Sequence, residues 1–98
     1  MEKEKIITRL DSFWDIDEGF FFKIREGRFL LVEAEEVMKF LKKIDFDNHE
    51  YIDKEIVTML WYIPTFLEYN SHYFVDNKDF ESTKNKLTNE ISRILGIP

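Results

Sequence analysis

Apolar residues recur near the start of the chain with the spacing of an amphipathic helix. Ile6, Ile7, Leu10, Phe13 and Trp14 fall at i, i+1, i+4, i+7 and i+8, so they share one face at 3.6 residues per turn. The pattern predicts a first helix over residues 3–13.

A short second helix is predicted over residues 16–26. Asp15 followed by Glu18 resembles a capping box, and Gly27 supplies a stop. Gly19 and the run of three phenylalanines at 20–22 oppose this helix, because glycine and aromatic residues are poor helix formers.

The apolar run Phe29–Val32 is consistent with a strand or with the lead into a third helix, and periodicity does not separate the two. Helix 3 itself is better defined. Val37, Phe40, Leu41 and Ile44 share a face, acidic residues come first and lysines follow, as the helix dipole prefers.

A long helical pattern runs from Ile52 to Tyr69, with Asp47 and Glu50 as a second capping-box variant ahead of it. Pro64 interrupts the pattern. Because proline lacks a backbone N–H and clashes with the carbonyl four residues earlier, at Leu60, we expect a kink or two abutting helices.

The last pattern is capped by Asn77 or Asp79 and ends at Gly96, with Ile97 placed for the hydrophobic contact of a Schellman motif. Five helical patterns with short connections predict an all-α fold. We expect residues 1–98 to form a single-domain bundle of about five helices, the fourth kinked or split at Pro64.

Composition limits the classes of function. The 98 residues suit one domain, and 44% hydrophobic with 16% aromatic content favours folding over disorder. A net charge of −6 disfavours nucleic acid and anionic membranes as direct partners and favours a basic protein, although such a charge is also ordinary for a small folded domain. Without cysteine or a hydrophobic leader, the chain is expected in the cytoplasm.

Metal and catalytic sites are each less well supported than simpler interpretations. The acid-rich segment 45–53 lacks the glycine and the acidic spacing of a calcium loop. Glu68 and His72 at i, i+4 suit a helix-stabilising pair better than a metal site, since His49 is the only other histidine.

Other chemistries have weaker signatures still. The carboxylates of segment 11–18 are explained by capping and solvation, because acid–base catalysis would need one of them desolvated. No cysteine, glycine-rich elbow or phosphate-binding loop is present. We therefore expect no enzyme activity and no cofactor, with a metal-dependent hydrolase using His49, His72 and nearby acids as an alternative.

Three stretches, Phe13–Gly27, Leu60–Glu68 and Ile94–Pro98, resemble small bacterial immunity proteins that accompany polymorphic, often contact-dependent, toxins. The apolar run Phe29–Val32 departs from the more polar entry to helix 3 expected there. The resemblance implies a cytoplasmic antidote that binds the toxin's C-terminal effector domain, often a nuclease, and blocks its active site or the approach of its substrate.

Candidate interface residues come from physical reasoning, because the resemblance supplies none. Ordered carboxylates can mimic the phosphates that a nuclease binds, and Trp and Tyr are enriched at binding hot spots. The predicted partner-binding residues are Asp11, Asp15, Asp17, Glu18, Glu33, Glu35, Glu36, Asp45, Asp47, Glu50, Asp53, Trp61 and Tyr62. The alternative function is a structural or adaptor domain that self-associates through Trp61–Tyr69, which leaves a homo-oligomer open.

Overall fold

The computed structural model describes residues 2–46 and 52–96, and in these ranges all regular structure is helical. The elements are α1 (Lys3–Phe13), α2 (Phe20–Arg25), α3 (Leu31–Lys43), α4 (Lys54–Trp61), α5 (Ile63–Tyr69), a 3₁₀ helix (Ser71–Phe74) and α6 (Lys78–Leu95). The predicted all-α bundle is confirmed. Helix α6 packs on α3 and α5, and α1 packs on α4.

The predicted split at Pro64 is confirmed. Helix α4 ends at Trp61, Tyr62 forms the junction, and Pro64 lies in the first turn of α5, where a missing N–H costs nothing because first-turn amides have no intrahelical acceptor. The Phe66 amide then donates to the Tyr62 carbonyl at 2.8 Å, so the second helix starts immediately.

The predicted start of the second helix is wrong. Residues 16–18 form a turn, and α2 begins at Phe20 behind Gly19, whose amide donates to the Asp15 carbonyl at 2.9 Å. Asp17 has a φ of 81°, outside the helical region. The turn replaces the first helical residues because Gly19 lets the chain fold back on itself there.

Two further boundaries are decided by the structure. The run Phe29–Val32 is the lead into α3, which begins at Leu31 without any strand in the described part of the chain. The predicted cap at Asp47 and Glu50 lies outside the described residues. Helix α4 starts later than that cap implied, behind Asp53, whose Oδ1 accepts from the Glu55 amide at 2.9 Å.

Both predicted glycine stops are confirmed. Gly27 has a φ of 79°, and the Arg28 amide donates to the Lys23 carbonyl at 2.7 Å, which is the long hydrogen bond of a Schellman motif. Gly96 has a φ of 73° and ends α6. Asn77 rather than Asp79 caps the start of α6, accepting from the Phe80 amide.

Aromatic rings join the helices at several points of the core, two of which position the surfaces of the next section. Trp14, Phe21 and Phe66 meet with ring centroids 4.5 to 5.8 Å apart, which links the end of α1 to α2 and α5. Phe29 and Phe80 pack edge to face at 5.6 Å, which links the entry of α3 to the start of α6. These contacts fix the surfaces described next.

Candidate partner-binding surface

Two acid-rich stretches, residues 11–18 and 33–36, meet across one groove. Helix α1 and the turn that follows it form one wall, and α3 forms the other, around a volume of about 460 Å³. The groove is lined by five carboxylates and a single cationic side chain: Asp11, Asp15, Glu18, Glu33 and Glu36, with Arg9. We call these six residues the acidic groove.

Two carboxylates of the acidic groove form ion pairs, one with Arg9 and one with Lys23, which lies outside the groove's lining. Arg9 approaches Glu36 at 3.7 Å across α1 and α3 while its guanidinium covers the ring of Phe13. Glu33 accepts a 2.6 Å bond on Oε2 from Lys23, and its Oε1 is buried with no hydrogen-bond partner among the described residues. Three of the five carboxylates, those of the α1 side, belong to neither pair.

The turn that supplies Asp15 and Glu18 is sterically fixed. A Cβ atom on Gly19 would lie 2.5 to 2.7 Å from backbone atoms of Asp15 and Phe13, so only glycine allows this close approach. The turn carries Asp15, Asp17 and Glu18 as exposed side chains. Its carboxylates are therefore presented on an ordered backbone.

We call the segment that carries Asp15, Asp17 and Glu18 the acidic turn. Trp14 connects it to the predicted aromatic residues. Its ring stacks on Tyr62 at 6.4 Å, and Tyr62 contacts Trp61 at 5.8 Å. Trp61 is 56% exposed and Tyr62 is 40% exposed. We call Trp14, Trp61 and Tyr62 the aromatic surface; since Trp14 directly precedes Asp15, it adjoins the acidic groove.

The remaining predicted acids do not join the groove. Glu35 points to the opposite side of α3, towards α6. Asp45 is exposed beyond the end of α3, and Asp47 and Glu50 lie outside the described residues. Asp53 is engaged at the start of α4.

Asp53 makes contacts that stabilise the fold. Besides capping α4, it pairs with Lys3 at 3.1 Å, which joins the first turns of α1 and α4. The bond from Lys3, followed by the bond from the Glu55 amide, lowers the pKa of the Asp53 carboxyl. The same pairing raises the pKa of the Lys3 ammonium.

The side chains considered for catalysis or metal binding are arranged differently from the sequence pattern. Glu68 pairs with Lys84 of α6 at 2.7 Å, and α5 ends at Tyr69, so the i, i+4 spacing of Glu68 and His72 is not continued as α-helix. His72 instead lies against Tyr73, with Nδ1 3.0 Å from the Tyr69 carbonyl. The described residues contain no group of three metal-ligating side chains, and His49 lies outside them.

Sequence reasoning missed exposed apolar residues next to the predicted ones. Ile16, inside the acidic turn, is 72% exposed, and Leu30, Leu31 and Val32 are exposed at the start of α3. The unusual apolar entry to α3 was a signal for the second group. Ile16 gave no signal, because it was included in the predicted second helix, which does not form there.

No family model, curated protein or solved structure matches this chain. Within the part of the chain that the structure describes, no helix is long and apolar enough to cross a membrane.

Proposed function

We propose that this chain is a cytoplasmic immunity protein that binds the C-terminal effector domain of a cognate toxin and neutralises it by stoichiometric protein–protein inhibition. The observation that carries the proposal is the acidic groove, in which five carboxylates from α1, the turn and α3 converge around one arginine. The resemblance to immunity proteins of polymorphic toxin systems supplies the class of partner.

The charge of the groove favours a basic partner. Converging carboxylates raise the local negative potential, which steers a basic surface into contact and orients it. Nucleases bind a polyanion and present such a surface around their active sites. The groove would occupy the place of the phosphates and hold substrate away.

The aromatic surface supplies binding energy, which charge alone does not. Exposed carboxylates govern encounter more than affinity, whereas central Trp and Tyr side chains carry much of the binding energy in protein interfaces. Trp61 and Tyr62 are exposed and contact each other, and Tyr62 stacks on Trp14, which directly precedes the acidic turn. A partner covering both regions would gain steering from one and affinity from the other.

Co-expression tests the function directly. The toxin domain encoded beside this gene should stop growth when expressed alone, and co-expression of this chain should restore growth. The purified proteins should form a 1:1 complex in which the toxin's activity is lost. Continued killing despite normal levels of the folded chain would contradict the proposal.

Paired variants test the surface. Asp15→Asn with Glu18→Gln should slow association with the toxin domain by about tenfold and weaken its dependence on salt. Trp61→Ala should instead speed dissociation, by about 30-fold for a typical hot spot. Glu26→Gln with Asp76→Asn removes the same charge outside the groove and should leave association unchanged.

A further inference from the structure

Helices α3 and α6 run side by side in the same direction. Phe29, before α3, packs on Phe80 in the first turn of α6. At the other end, the Arg93 guanidinium of α6 donates to the carbonyls of Leu41 and Ile44, both at 3.1 Å. The two helices therefore present one continuous outer face.

This face carries a groove of about 510 Å³ that shares only Glu36 with the acidic groove. Its start exposes two large apolar side chains, Leu31 at 43% and Val32 at 70%. Its floor is lined by small or flexible residues, among them Ala34, Met38 and Ser82. Such a floor allows another helix to approach closely.

Charge changes sign along the groove in the same way on both helices. On α3, Glu35 comes first and Lys42 follows seven residues later; on α6, Asp79 comes first and Lys86 follows seven residues later. At 1.5 Å per residue, each acid lies about 10 Å before its lysine. The parallel helices thus give the groove an acidic end and a basic end.

We propose that this face, which we call the α3–α6 face, is the contact between two copies of the chain in a symmetric dimer. A two-fold axis in the plane of the interface and perpendicular to the helices places α3 against α3 of the second copy in antiparallel orientation. The acidic end of each copy then faces the basic end of the other, with Met38 near the axis and Glu35 opposite Lys42. An interface of this kind is self-complementary, as a two-fold contact requires.

The size of the face predicts a weak dimer. Helix α3 is about 20 Å long and two packed helices are about 20 Å wide, so each copy contributes about 400 Å². The total of about 800 Å² falls below the limit of about 1,000 Å² for stable specific interfaces, in the range of weak and transient contacts. We expect a dissociation constant of about 10 to 100 µM.

Reciprocal charge reversal tests the arrangement by sedimentation velocity at concentrations bracketing that range. In Glu35→Lys, lysine faces Lys42 of the second copy; in Lys42→Glu, glutamate faces Glu35. Each variant alone should dimerise at least about tenfold more weakly than the parent chain. An equimolar mixture of the two should recover the dimer, because both contacts are then between opposite charges.

Matched controls separate this contact from general charge attraction. Glu26→Lys carries the same charge change outside the face and should dimerise like the parent chain. Val32→Glu should abolish the dimer, whereas Val75→Glu, at a residue that is 74% exposed elsewhere, should retain it. Circular dichroism confirms that each variant is folded.

Two outcomes would overturn the proposal. One is a parent chain that remains monomeric at ten times the expected dissociation constant. The other is a mixture of Glu35→Lys and Lys42→Glu that associates no better than either variant alone, which would assign any self-association to a different surface such as Trp61–Tyr69.

Discussion

The backbone nitrogen of Asp15 lies 2.5 Å from the position that a Cβ atom would take on Gly19. This distance is shorter than any ordinary non-bonded contact, and the atoms involved belong to backbone that cannot rotate away. The acidic turn therefore depends on the absence of a side chain at Gly19. The lack of a side chain at this glycine thus sets how the chain passes from the end of α1 to the start of α2. It thereby sets the geometry of the proposed binding surface.

Gly19→Ala should destabilise the fold by about 3 kcal/mol, because the turn must open to admit the methyl group. Urea denaturation measures the loss. Gly96→Ala is the matched control: apart from its chain neighbours, no atom of the described residues lies within 4 Å of its Cβ position, so only its φ of 73° is unfavourable and about 1 kcal/mol is expected. Equal effects of the two substitutions would contradict the steric explanation.

Arg93 should stabilise the end of α3. Arg93→Met keeps much of the apolar stem but removes both donors to the carbonyls of Leu41 and Ile44. The expected loss is about 1 to 2 kcal/mol, since helix-end carbonyls then lack a partner from α6. Hydrogen exchange should show the fraying confined first to the last turn of α3; an unchanged exchange pattern there would count against this role.

Phe66 should be a sensitive position of the aromatic core. Its ring contacts Trp14 and Phe21 edge to face, and the guanidinium of Arg25 lies 5.5 Å from its centroid. Phe66→Leu retains apolar volume but removes these ring contacts, so a loss of about 1 to 3 kcal/mol is expected. A change in near-ultraviolet circular dichroism should accompany it, because Trp14 loses a neighbour. Unaltered Trp14 signals would contradict this packing.

Lys84 makes the stability of the fold depend on pH in the alkaline range. Its ammonium bonds to Glu68 and then to Glu81, and these bonds raise the Lys84 pKa above its ordinary value of 10.5. A raised folded-state pKa contributes stability that is complete below about pH 10.5 and is lost as pH rises through the folded value. Lys84→Met should therefore cost about 0.5 to 1 kcal/mol at pH 7 to 9.

The difference between the parent chain and Lys84→Met should shrink above pH 10.5. Denaturant titrations at matched ionic strength measure it, and comparing the two proteins cancels the titration of other lysines and tyrosines. Glu68→Gln should show the same trend with a smaller amplitude, because Glu81 remains. A difference that stays constant through pH 11 would contradict the assigned ion pair.

Asp53 makes the stability of the fold depend on pH in the acid range, with a loss of stability as pH falls. Bonds from Lys3 and from the Glu55 amide lower the Asp53 pKa, so its contribution to stability is present above its unfolded value of about 3.9 and is lost as pH falls through the folded value. Asp53→Asn keeps an acceptor for the cap but loses the charge. Its destabilisation relative to the parent chain should disappear as the pH is lowered through this window.

The sequence by itself determined the features that depend on neighbouring residues, namely where helices begin, divide and end. The apolar spacing gave the limits of α1, Pro64 gave the division between α4 and α5, and the tolerance of glycine for positive φ gave the helix ends at Gly27 and Gly96. These features depend on residues a few positions apart, so periodicity and backbone preference suffice to predict them. The all-α fold class follows from their sum.

Only the tertiary structure decided where the charges and rings meet. The start of α2 was mispredicted even though Asp15 and Gly19 are only four residues apart, because the capping pattern does not distinguish their turn from the first turn of a helix. The convergence of Asp15 with Glu33, and the stacking of Trp14 on Tyr62, join residues far apart in the chain. Helix packing sets these distances, and no local pattern encodes them.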